Sequence, residues 1–169
     1  MRHHNRRQFP ISLACACFVL LLLAASCGPA AKEAAPAPDG AGSTPKPATV
    51  DVSRYLPMEA QTKVQLVEDR LLGIAALPGG NVAEYQKNGK RYRQFLIKAP
   101  SVALAAVYLS DLKDAMTNPK FVASFGGYFG ELNQEPAFVF TKGEYVTGFL
   151  GLTREEADAA GRLAAARIP

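Results

Sequence analysis

The residues with the most chemical character in this chain are four cations set close together, Lys87, Lys90, Arg91 and Arg93. Arg91 and Arg93 alternate, so on an extended strand they share one face, able to meet lipid headgroups, phosphates or an acidic protein surface. The same residues also suit a solvated hairpin whose charges discourage edge pairing. Acid–base chemistry by paired carboxylates needs two acids that converge. The adjacent pair Glu155 and Glu156 instead follows Thr153, where acidic residues complement the dipole of a starting helix. Glu84, Glu131 and Glu144 fall on predicted strands and turns, and their spacing does not say whether any two meet. Gly126-Gly127-Tyr128-Phe129-Gly130 would let backbone approach a ligand, yet it lacks the dinucleotide spacing and no helix opens directly after it. Glycines of this kind mark a bulge or bend in a strand. Phe138 and Phe140, facing Tyr145 and Phe149, offer an aromatic shelf, although aromatic residues at period two are also what a half-buried strand requires.

What is missing narrows the chemistry further. His3 and His4 are the two histidines, and Cys15, Cys17 and Cys27 the three cysteines, so from Gly28 onward the chain has neither residue type. That stretch cannot build a Cys/His zinc site, a cysteine nucleophile, a Ser-His-Asp triad, a CxxC redox pair, a haem site with His or Cys ligands, or a disulfide. No metal, cofactor or catalytic residue is expected there. The reading is non-enzymatic, with an enzyme using carboxylate, Lys, Ser or Tyr groups as the alternative.

The N-terminus carries an address. Arg2, Arg6 and Arg7 precede any acidic residue, and Ile11 to Leu23 then reads ISLACACFVLLLL. This is the length of a signal h-region, ~7–15 residues, and short of the ~20 that span a bilayer. Leu23-Ala24-Ala25-Ser26-Cys27 closes it and resembles the lipobox of bacterial lipoproteins, with Ala24 where Leu is usual. The resemblance implies cleavage after Ser26 and a diacylglyceryl group on Cys27, which anchors the chain to a membrane. Without Asp after that cysteine, the resemblance favours the outer membrane over the inner in a host with two. Residues 1–26 are thus expected to be a signal peptide, and localisation in the cell envelope follows.

Charge changes meaning once that segment is set aside. The whole chain carries 19 basic and 15 acidic residues, but three of the basic ones are in the signal, leaving a net +1. A near-neutral chain has no general attraction to phosphate backbones, so nucleic acid is not an expected partner. Residues 27–50, rich in Ala and Pro, read as a lipidated linker without fixed structure. Residues 51–169 are long enough for one domain and too short for two.

Within that domain, Asn81 to Lys87 and Arg91 to Lys98 flank Asn88-Gly89, a type I′ hairpin signal. Ser101 is placed as an N-cap, with Leu104, Tyr108, Leu112 and Ala115 at helical spacing and Asn118-Pro119 as the stop. Phe121 to Leu132 reads as one strand interrupted at Gly126-Gly127. Pro136 to Thr141 and Glu144 to Leu150 follow as strands around Lys142-Gly143. Thr153-Arg154-Glu155-Glu156 has the form of a capping box, opening a helix with Ala157, Ala160, Gly161, Ala164 and Ile168 on one stripe. Before Asn81, Lys63 to Glu68 and Leu71 to Leu77 are candidate strands and Pro78-Gly79-Gly80 a turn. The order strand, turn, strand, helix occurs in 82–116 and again in 136–168, either an old duplication or the ordinary self-similarity of an alternating chain.

The expected architecture is α+β: a single antiparallel sheet of about five or six strands with two helices packed on one face. From Tyr85 onward the layout is similar to that of uncharacterised domains in exported bacterial proteins, a likeness of pattern that implies no functional residue. The function expected is a lipid-anchored envelope module binding a partner protein or an anionic envelope component. A small-molecule carrier is the other non-catalytic alternative.

Overall fold

The computed structural model describes residues 48–169; the signal-like segment, Cys27 and the linker to residue 47 lie outside the described residues. Apolar strands separated by Asn, Gly and Gln turns give seven β-strands: β1 (Gln61–Asp69), β2 (Pro78–Lys87), β3 (Lys90–Lys98), β4 (Thr117–Val122), β5 (Gly127–Leu132), β6 (Glu135–Lys142) and β7 (Tyr145–Leu150). Two helices, α1 (Val102–Ala115) and α2 (Arg154–Arg167), follow β3 and β7. All strand pairs are antiparallel, in the order β1-β2-β3-β7-β6-β5-β4, so the fold is α+β. The sheet thus has seven strands, not five or six. The extra strand comes from the segment ending at Val122. Gly126, at φ +60°, does not interrupt a single strand but closes a turn that folds β4 back against β5.

The helices also sit differently from expectation, on opposite faces of the sheet. Alternation along β6 directs Ala137 and Val139 into the cluster containing Ala105, Leu109 and Leu112 of α1, while Phe138 and Phe140 join Ala157 and Ala164 of α2. The reason is visible in β6 and β7. Residues 137–140 and all of Tyr145–Leu150 are buried, so these strands need cover on both sides. Opposite placement also argues against internal two-fold symmetry, because an axis relating two hairpins of one sheet would leave both helices on the same face.

Local chemistry sets the element ends. Asn88 and Gly89 both have positive φ, as the hairpin turn between β2 and β3 demands. The Ser101 side chain accepts a hydrogen bond from the Leu104 amide at the start of α1. The buried stripe of that helix is Ala105, Leu109 and Leu112, continued by Met116; of the predicted stripe Leu112 is buried and Tyr108 packs against the core, while Leu104 is 39 % exposed. The helix ends at Ala115, before Asn118-Pro119, which already belong to β4. Helix α2 opens with a complete capping box between Thr153 and Glu156. At its other end the Lys142 ammonium donates to the carbonyls of Ala165 and Ile168, placing a cation at the negative pole of the helix.

The region before Asn81 departs most from the pattern. Lys63 to Glu68 lies in β1, but Leu71 to Leu77 is not a strand and Pro78-Gly79-Gly80 is not a turn. Arg70, Leu72 and Gly73 take left-handed φ, and the resulting short 3-10 turn drops Leu71 and Leu77 into the α1-side core. Pro78 to Gly80 then continue directly as β2. On the opposite face, Val52 and Leu56 cover Ala83, Tyr85 and Leu96. Buried Asn81 holds this cover in place, accepting from the Val52 amide at 2.7 Å and donating to Asp51 at 2.9 Å.

Candidate functional site

The β2–β3 hairpin carries all four predicted cations, and its register sorts them. Tyr85 stands opposite Tyr92, Gln86 opposite Arg91 and Lys87 opposite Lys90. Because opposed residues share a face, Lys87 and Lys90 project on the α2 side, while Arg91 and Arg93 project on the α1 side. The expectation that Arg91 and Arg93 share a face therefore holds, but the four do not form one patch. The hairpin is a partition with two cations on either side.

Each side carries one engaged cation and one that is not. Lys90 pairs with Glu156, the carboxylate that also accepts from the Thr153 amide in the capping box. That pairing, with the backbone bond second, lowers the Glu156 pKa to about 2. Arg93 reaches across β7 to Glu135 at 2.7 Å. Lys87 and Arg91 are exposed and make no ion pair among the described residues. The two partner carboxylates were not foreseen as such: Glu156 read only as a helix-start residue, and Glu135, at the start of β6, had no sequence signal linking it to Arg93.

A surface groove lies on either side of this partition. On the α1 side, a concavity of about 550 Å³ is lined by Lys63, Glu84, Arg91, Arg93 and Glu135, with Tyr85 and Tyr92 among its other walls. On the α2 side, about 460 Å³ lies between the hairpin tip and the helix, lined by Lys87, Lys90 and Tyr92 against Leu152, Ala160 and Leu163. The first is a polar groove of mixed sign. The second is more apolar, with Lys87 and the Lys90–Glu156 pair at its lip, and Leu163 is 66 % exposed beside it.

The remaining candidates are structural. A Cβ on Gly127 would strike the Val139 carbonyl and lie 2.7 Å from Phe140 Cβ, so that glycine permits close strand contact. Phe138 and Phe140 pack with Phe125 at ring separations of 5.0 and 4.9 Å, and Phe138 and Phe149 stand opposite each other inside the α2-side core. Glu84 and Glu131 lie on β2 and β5, four strand spacings or about 19 Å apart across the sheet. Glu144, in the turn after β6, pairs with Lys98 and raises that lysine's pKa. These three carboxylates do not converge. Buried Tyr85 has its pKa pushed up to about 12 by desolvation, so its hydroxyl stays protonated over the ordinary range.

Among the described residues no cluster of three His, Cys, Asp or Glu side chains could hold a metal ion, and no helix is long and apolar enough to cross a membrane. No protein-family model, curated protein or solved structure matches this chain, so the β2–β3 hairpin with its two flanking grooves is identified from its own geometry alone.

Proposed function

We propose that the chain is an exported lipoprotein, anchored to the cell envelope through Cys27, whose folded unit is a non-catalytic module that binds an envelope partner through the β2–β3 hairpin. The address rests on Arg2, Arg6 and Arg7, the apolar run from Ile11 to Leu23 and the lipobox-like residues ending at Cys27. One acyl chain holds weakly and several hold for long, so a fully processed lipoprotein stays tethered. The observation that carries the binding reading is the hairpin tip. It projects Lys87 and Arg91 into solvent, while Lys90 and Arg93 are tied back to Glu156 and Glu135 and hold the tip in shape.

An acidic protein surface or an anionic envelope component fits that tip. Crosslinking of the full-length protein in cells, followed by detergent extraction and mass spectrometry, tests the proposal. One stoichiometric partner is expected, lost in Lys87→Glu/Arg91→Glu and in a mislocalised Cys27→Ala control. Capture that survives the charge reversal sinks the hairpin assignment. Palmitate labelling that persists in Cys27→Ala sinks the anchor. Co-purification of a small molecule without any partner favours the carrier reading, with the apolar α2-side groove as its place.

A further inference from the structure

The two ends of the sheet are finished differently. At one end β4 is short, carries Pro119 and Lys120, and has an irregular register between Thr117 and Lys120, all features that resist pairing with another strand. At the other end β1 is nine residues long with no proline, and after a register shift between Gln61 and Lys63 its pairing with β2 is regular to Asp69. Among the described residues no strand pairs with its outer edge. Val64 and Leu66 lie on this edge at 43 % and 37 % exposure, on the same face of the sheet. Near the end of the strand the Glu68 carbonyl accepts the Thr49 hydroxyl at 2.8 Å. Lys87 and Lys90 close the two-residue turn as a hydrogen-bonded pair, so odd residues of β2 direct their backbone groups to β3 and even ones to β1; their partners Lys63, Gln65 and Val67 face inward, and the backbone groups of Val64 and Leu66 face outward.

We propose that β1 is a homodimerisation edge at which two copies of this chain join antiparallel, with Gln65 on the two-fold axis. The occupant follows from the strand's own sequence. In that register Val64 of each copy stands opposite Leu66 of the other, so their outward backbone groups exchange hydrogen bonds and the exposed apolar pair is buried as two cross-strand contacts. Antiparallel pairing also turns the basic start of one strand towards the acidic end of the other, bringing Lys63 into diagonal reach of Asp69 of the second copy on the same face, a carboxylate already engaged within its own chain, where Arg70 lies 3.6 Å away. Backbone pairing is centred on residues 64–66, before Glu68, whose carbonyl is already engaged by Thr49. An unrelated extended peptide would share the backbone bonds but not this reciprocal match. The result is one continuous sheet across two copies, and it is independent of lipid anchoring.

The register makes a sharp test. The two copies of residue 65 form a pair without mutual hydrogen bonds, about 4.5 Å apart at Cα and within the range of a disulfide. Two copies of Lys63 lie four residues apart along the ladder, about 13 Å. Full-length Gln65→Cys in mild detergent is expected to oxidise to a dimer, with the peptide containing residue 65 joined to itself by mass spectrometry, and Lys63→Cys is not. Sedimentation velocity of the wild type and of Cys27→Ala is expected to show a concentration-dependent dimer. Leu66→Lys should weaken it at least about tenfold without changing the thermal midpoint of the monomer, whereas Phe121→Lys on β4 should leave it intact. Three results overturn the proposal: a wild type that stays monomeric at the highest concentration, a disulfide dimer formed by Lys63→Cys and not by Gln65→Cys, or loss of the dimer in Phe121→Lys.

Discussion

The β5–β7 half of the sheet and the β1–β2 half are made from similar alternating strands but are covered by different means. Strands β6 and β7 lie between two helices, with aliphatic packing on the α1 side and phenylalanines on the α2 side. Strands β1 and β2 are covered by short irregular segments: Val52 and Leu56 on one face, Leu71 and Leu77 on the other. The first arrangement depends on shape, since apolar surfaces must interlock. The second depends on a few polar ties, chiefly Asn81, and among the described residues leaves the outer edge of β1 without a partner strand. Stability is therefore expected to concentrate in the helix-covered half, while the thinly covered half retains surface for contacts.

Substitutions in the two halves should differ accordingly. Phe138→Ala removes a ring packed between Phe125 and Phe140 beneath α2 and is expected to cost about 3–5 kcal/mol, read by urea unfolding. Gly148→Ala comes next. Its new Cβ would lie 2.6 Å from Phe95 Cε1 and closer to the Phe138 carbonyl, so overpacking should cost about 3 kcal/mol by the same measurement. In the thin half, Asn81→Ala leaves the buried Val52 amide without its acceptor, while Asp51 keeps the Ser53 amide, at about 1–3 kcal/mol. Faster amide exchange confined to residues 49–56 would accompany it; exchange that rises throughout β6 and β7 would contradict the division.

Smaller effects sharpen the comparison. The folded Glu156 pKa, about 2, lies below the ordinary 4.5, so this carboxylate stabilises the fold fully above about pH 4.5 and loses that contribution as pH falls towards 2. The thermal midpoint of the wild type should fall more steeply over that window than that of Glu156→Gln, and parallel curves would refute the assignment. The smallest effect is expected at the open edge. Leu66→Lys should change the stability of the monomer by no more than about 0.5 kcal/mol, as an exposed substitution with no buried partner. A large loss there would mean that β1 is integrated as tightly as β7.

Much of this organisation was legible in the chain. The Asn88-Gly89 turn, the Ser101 cap and the Thr153–Glu156 capping box each depend on residues within a few positions, and local rules found them. The stripe on α2 was also readable because small residues leave little choice of face. The α1 stripe was found only in part, at Leu112 and Tyr108 but not at Leu104, because that helix is apolar around much of its circumference, and periodicity then gives no single face. Leu71 to Leu77 looked like a strand because it is apolar, yet left-handed residues at Arg70, Leu72 and Gly73 made it a tucked turn. The opposite placement of the helices had a sequence trace that alternation alone hid: unbroken burial at 137–140 and 145–150 belongs to strands covered on both sides.

The candidate site divides along the same line. Its four cations were found as a cluster in sequence, but the cross-strand register split them between two faces, and Glu135 and Glu156 engaged one on each side. By itself the sequence determined the absence of His and Cys after residue 27, the hairpin, the helix caps and the strand-rich composition, because these follow from residue identity and near-neighbour geometry. Strand order, the assignment of each helix to a face, the pairing of Lys90 and Arg93 and the terminal position of β1 in the sheet were decided by tertiary structure. Those features depend on which distant segments meet, and the free energy that selects among such meetings is a sum over contacts that no local stretch contains.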